Sequence, residues 1–147
     1  MSESLNVRLT GHTRVDFDRK QIRKALRVEG RGVQKEARRL VARRAISAPG
    51  EFPGRDTGAL SRSIKSKVSR PGFLVRIAPQ KTPEMGNDFY PAFLQYGVRP
   101  NPNGKGGGPS GWRIEPRANY MVEALNRRRP AAESALRAAL QNALIPR

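Results

Sequence analysis

The stretch from Ala48 to Ile64, APGEFPGRDTGALSRSI, separates two segments of opposite hydrophobic period. It thereby constrains the chain to a helix on one side and strands on the other. Pro49-Gly50 and Pro53-Gly54 are turn dipeptides that stop a preceding helix, because proline lacks the amide proton and glycine tolerates positive φ. Asp56 or Thr57 can then restart order with a side-chain oxygen, and Gly58, Leu60 and Ile64 follow at spacings that suit a tight turn into a half-buried element. The plainest reading is a polar connection between a helix and a sheet.

Upstream, Ile22, Leu26, Val33, Ala37 and Leu40 recur as one buried stripe, which predicts a helix over 18–46 capped by Asp16 or Asp18. Glu29 falls on that stripe. Gly30 and Gly32 each cost about 1 kcal/mol relative to alanine in a helix, so a kink or break is expected beside them. On the far face lie Arg23, Lys24, Arg27, Arg31, Lys35, Arg38 and Arg43. Residues 19–44 hold eleven basic residues against Glu29 and Glu36, a net of +9 out of +17 for the whole chain. Like charges at i,i+4 disfavour an isolated helix, so an acidic partner should lie against this face, although such a run can also be a solvated surface.

Downstream, SIKSKVS (63–69) alternates with Lys65 and Lys67 on a wet face, Arg70-Pro71-Gly72 turns, and FLVRIAP (73–79) returns. Residues 60–79 therefore read as a β-hairpin. FYPAFLQYGV (89–98) gathers Phe89, Tyr90, Phe93, Leu94 and Tyr96 into a short helical turn opened by Pro91 and closed by Gly97. With no basic residue from 82 to 98, these aromatics fit a core or subunit-interface plug better than a stacking platform for single-stranded nucleic acid. Residues 99–111 hold five glycines and three prolines and read as a mobile loop or arm. Its glycines match neither a P-loop nor a dinucleotide fingerprint. Trp112, Ile114 and Pro116 suggest a short returning strand. From Arg117 to Leu144 the pattern is helical, with Pro130 starting a second helix or kinking one long one. At the other end, Leu5, Val7 and Leu9 alternate as a strand ending near Gly11, so 1–17 reads as an N-terminal strand or arm.

The fold class is accordingly α+β, as a single domain spanning 1–147: a long basic helix, a small mostly antiparallel sheet, and a C-terminal helix or helix pair. Only 37% of residues are hydrophobic, which suits a modest core with long connections. The chain has no cysteine, so disulfides and thiolate chemistry are excluded. No membrane span is expected, nor a signal peptide at MSESLNVRLTG, which points to action in a cytoplasm. His12 is the lone histidine, and the carboxylates are scattered. Asp56, Glu115 and Lys65 are the least implausible magnesium-type trio, but no catalytic, cofactor or metal residues are assigned and no enzymatic activity is expected.

Three phrases in order carry a family likeness: Thr57-Gly58-Ala59-Leu60-Ser61-Arg62-Ser63-Ile64, then Tyr90-Pro91-Ala92-Phe93-Leu94-Gln95-Tyr96-Gly97, then Glu115-Pro116-Arg117 before the last helix. From about residue 18 to 145 the chain resembles the tail-completion, or neck, proteins that join heads to tails in long-tailed bacteriophages. It departs from many relatives in having Val98 where they have threonine, and in its glycine-rich 99–111 loop. The resemblance implies a non-enzymatic virion component, assembled in the host cytoplasm as a homo-oligomeric ring at the head–tail junction. Its neighbours would be other neck and tail proteins such as stopper, terminator or tail tube, with non-specific contact to genomic DNA open and no membrane partner. The assembly interface is expected to use Arg23, Arg27, Arg31, Arg38, Thr57, Gly58, Leu60, Phe89, Tyr90, Phe93, Tyr96 and Trp112. The alternatives are a tail-terminator ring protein and a basic nucleic-acid-binding protein.

Overall fold

The computed structural model describes residues 15–44, 46–100, 103 and 111–146. The expected strand at Leu5, Val7 and Leu9, the lone His12 and most of the 99–111 loop lie outside the described residues.

The first helix, α1 (Arg19–Leu40), begins where Asp18 adopts extended geometry and its carboxylate accepts from the Lys20 amide at 2.9 Å. That bond satisfies one of the orphan donors of the first turn. The buried stripe is Ile22, Leu26, Gly30, Val33 and Ala37. It passes through Gly30, with Glu29 beside it, and the helix runs unbroken across both glycines, where a kink or break was expected. The reason is close approach. A Cβ on Gly30 would lie 2.6 Å from Ser66 Oγ and 2.6 Å from Val75 Cγ2, so only glycine lets the next layer sit this near.

The helix also ends at Leu40, short of the expected 46. Val41 caps it and is itself buried, while the Arg43 carbonyl accepts from the Arg55 amide at 2.7 Å and so belongs to a loop-to-loop contact. Arg38 and Arg39 in the last turn complement the negative end of the helix dipole.

After the Pro-Gly joint, α2 (Ala59–Ser63) takes the residues expected to open the hairpin, and β2 (Ile64–Val68) and β3 (Val75–Pro79) then pair antiparallel. The hairpin is therefore shorter than 60–79. Gly58 starts α2 in the left-handed region, and neither Asp56 nor Thr57 is its N-cap, although Thr57 Oγ1 accepts from the Ala59 amide at 3.3 Å. The register sets Ser66 opposite Ile77 and Val68 opposite Val75 on the face against α1, with Lys67 opposite Arg76 on the other. Ser69 and Leu74 close the turn through a 2.8 Å backbone bond.

A single 3-10 turn at Pro83–Met85 leads to α3 (Tyr90–Tyr96), opened by Pro91 and closed by Gly97 as expected. The anticipated strand around Ile114 reduces to one bridge, Val98 with Ile114. The last helix, α4 (Tyr120–Asn142), starts three residues later than expected because Asn119 accepts from the Met121 and Val122 amides, both at 3.1 Å. It is one helix with Pro130 inside it.

Leu144–Pro146 then forms β4, paired antiparallel with β1 (Val15–Phe17), where a helical end was expected. The Asp18 amide extends this pairing to the Ala143 carbonyl at 2.8 Å. The fold is thus α+β, with two small two-stranded antiparallel sheets among the described residues.

Two apolar clusters share α1. One joins Val33, Ala37 and Val41 to Leu60, Ile64, Tyr120 and Ala124; the other joins Ile22 and Leu26 to Ala143. Between α1 and α4 the contact is also electrostatic. Arg127 reaches Glu36 at 3.3 Å and Arg128 reaches Glu29 at 3.5 Å, so the acids of the basic helix face the arginines of its neighbour.

Candidate assembly surface

Leu60 and Ile64 of the Thr57–Ile64 phrase are buried, and Tyr90 and Leu94 of the Tyr90–Gly97 phrase pack against the apolar cluster that holds them. An open cleft of about 270 Å³ lies between them, lined by Val41, Gly54 to Ser61, Glu84, Tyr90 and Leu94. Arg62 closes one side by donating to the Thr57 carbonyl at 3.0 Å and to Glu84 at 2.7 Å. Burial raises the Tyr90 phenol pKa, and the nearby Glu84 carboxylate adds to the effect; a backbone hydrogen bond with Leu60 acts the other way. Below it, burial pushes Tyr120 up to about 12. Both phenols are therefore neutral near pH 7 and serve as packing groups with a polar tip.

The other end of α3 is held differently. Gly97 has φ +72, and a Cβ there would meet Ile114 O, Pro116 Cδ and Trp112 Cζ3, each at 2.9 Å. Only glycine combines that backbone angle with that approach. Trp112 is half-buried there, and the Arg99 guanidinium lies over its ring 4.8 Å from the centroid. The Arg117 amide donates to the Leu94 carbonyl at 2.7 Å, which ties the Glu115-Pro116-Arg117 phrase to α3.

The expected interface residues separate into distinct environments. Leu60 and Gly58 are buried, Thr57 is exposed, and Phe89, Tyr90 and Phe93 are half-buried. Tyr96 is 76% exposed in the single chain, so of the two expected places, core or subunit interface, the core is ruled out for this residue. Within a seven-residue helix the inward face holds only part of the ring, and Tyr96 falls on the outer side.

Among the arginines, Arg23 donates to the Arg70 carbonyl at 2.6 Å and Arg38 to the Ile64 carbonyl at 2.9 Å, beside Gln34 at 2.7 Å. These three side chains fasten the hairpin along α1. Arg27 and Arg31 remain exposed. A hydrogen bond from Arg39 holds Glu36 below the usual carboxylate range against the opposing effect of burial, with Arg127 assisting.

Sequence reasoning did not single out the Glu29–Arg128 and Glu36–Arg127 pairs or the close approach at Gly30. The available signal was an acid and two glycines at the centre of an otherwise basic helix. Among the described residues no three His, Asp or Glu side chains converge as a metal site, and Asp56 and Lys65 of the weighed trio line different surfaces. Among the same residues no helix is long and apolar enough to cross a membrane.

Comparison with protein-family models, with curated proteins and with solved structures finds no match to this chain.

Proposed function

We propose that this chain is a structural, non-enzymatic protein of the neck of a long-tailed bacteriophage, completing the tail end and joining it to the head as a subunit of a homo-oligomeric ring. The observation that carries the reading is that the phrases Thr57–Ile64 and Tyr90–Gly97, separated in sequence by the hairpin, form one packed unit through Leu60, Ile64, Tyr90 and Leu94. The residues that resemble the neck proteins are thus coupled physically, and they present Thr57 and Tyr96 outward from a fixed base. Exposed Tyr96 and half-buried Phe93 suit a surface completed by a neighbouring subunit, since aromatic residues are enriched in interfaces. Arg27 and Arg31 give that subunit a charged face for docking on stopper, terminator or tail-tube partners.

The test is complementation in extract. Purified chain is added to lysate from a phage deleted for this gene, and joined, infectious particles are counted. Restored infectivity is expected; filled heads and tails that stay separate after the addition would defeat the reading.

A further inference from the structure

We propose that the outer face of the hairpin binds the phosphate backbone of duplex nucleic acid, without reading its sequence. The inner face, Ser66, Val68, Val75 and Ile77, lies against α1. The strand alternation consequently sends Lys65, Lys67 and Arg76 to the opposite side. There they line an open groove of about 530 Å³ together with Arg70, Leu74, Ala78 and Gln80. From Thr57 to Pro83 the chain has six basic residues and no acidic one. Among the described residues, Lys65, Lys67, Arg70 and Arg76 form no ion pair. Arg39, Arg62, Arg127, Arg128 and Arg129 each have a carboxylate partner; among the same described residues Lys20, Arg27, Arg31, Arg44 and Arg137 have none, so what marks the hairpin is its cations' shared face and groove.

Spacing and composition together select the partner. Lys65 and Lys67 are two positions apart on one face, roughly 7 Å. Lys67 and Arg76 are directly opposed across the ribbon, roughly 5 Å apart. Like charges set directly opposite cost stability, so the arrangement is stabilised by a dense array of anions. Duplex DNA supplies one negative charge per roughly 1.7 Å of axis. An acidic protein fits less well: protein interfaces deplete lysine at their centre, and the strand positions of this face carry two lysines and no aromatic residue.

The experiment measures binding of the full chain to a fluorescent random-sequence DNA duplex by anisotropy between 50 and 200 mM salt. The triple variant Lys65→Gln, Lys67→Gln, Arg76→Gln is compared with a charge-matched control, Lys20→Gln, Arg44→Gln, Arg137→Gln, all six positions being exposed. The slope of log affinity against log salt should fall by about 2.7 in the hairpin variant, 0.9 for each lost phosphate contact, and by less than one in the control. Affinity at 0.1 M salt should drop on the order of a hundredfold or more with the hairpin variant alone. Single Lys67→Gln, expected to lower the slope by about 0.9, keeps the test valid if the triple variant unfolds.

Equal losses in both triple variants, or an unchanged hairpin variant, would overturn the assignment. So would poly-glutamate displacing the duplex at equal charge concentration, which would give the face to an acidic protein. Binding that distinguishes one DNA sequence from another would overturn the claim of backbone contact.

Discussion

Replacing Gly30 by alanine should destabilise the protein, although the same change in an ordinary exposed helix stabilises by about 1 kcal/mol. The new methyl would sit 2.6 Å from Ser66 Oγ and 2.6 Å from Val75 Cγ2. Ser66 can rotate its hydroxyl away, but Val75 is branched at Cβ and has little χ1 freedom, so the hairpin must shift. Overpacking of this kind costs about 1–3 kcal/mol, and two simultaneous clashes place it in the upper half of that range. Subtracting the helix gain leaves a net loss of about 1–2 kcal/mol, or a fall in Tm of about 3–8 °C for a chain of this size.

Urea denaturation of the wild type, Gly30→Ala, Val75→Ala and the double variant gives the coupling directly. Val75→Ala should cost less in the alanine background than in the wild type, by about 1–2 kcal/mol. Gly32→Ala is the milder comparison: its Cβ would meet the Arg128 guanidinium at 2.8 Å, the far end of a flexible side chain that must then shift from its 3.5 Å contact with Glu29, so it should cost less than Gly30→Ala and show no coupling to Val75. A Gly30→Ala variant more stable than wild type, with no coupling to Val75, would refute the close-approach argument.

Three further outcomes are expected. Arg27→Glu with Arg31→Glu should leave the melting temperature within a few degrees of wild type while head–tail joining falls at least tenfold, and added salt should weaken wild-type docking in the same direction; Arg38 must stay, because it holds the Ile64 carbonyl. Tyr96→Ser, at a site 76% exposed, should change stability by no more than about 0.5 kcal/mol yet reduce ring assembly, seen by sedimentation. Tyr120 keeps its proton to about pH 12 in the folded chain but loses it near 10 when unfolded, so its contribution is complete below pH 10 and disappears as pH rises from 10 through 12. That loss, on the order of 2–3 kcal/mol, should be missing from the urea-stability profile of Tyr120→Phe between pH 9 and 12.

Periodic elements were legible in the sequence wherever one face meets the core continuously. The Ile22–Ala37 stripe located α1, the Lys65 and Lys67 alternation located β2, and Pro91 with Gly97 bounded α3. Boundaries set by distant partners were not legible. The end of α1 depends on the Arg43 carbonyl meeting Arg55, and β4 exists because β1 offers it an edge, which no window around Leu144 reveals. Glycine was misleading at Gly30 because local propensity counts its cost and not the hairpin that needs its missing side chain. On the candidate surface, sequence grouped seven cations on one expected helix by helical position alone, although Arg43 lies past the end of α1; it could not say that Arg23 and Arg38 would be engaged by the carbonyls of Arg70 and Ile64, leaving Arg27 and Arg31 outward.

The central claim is tested most directly by electron microscopy of particles from a phage deleted for the gene of this chain. The account predicts DNA-filled heads and separate tails that do not join, both in normal number, with joined particles returning when the wild-type chain is supplied in trans. Normal joined, infectious particles from the deletion would contradict it.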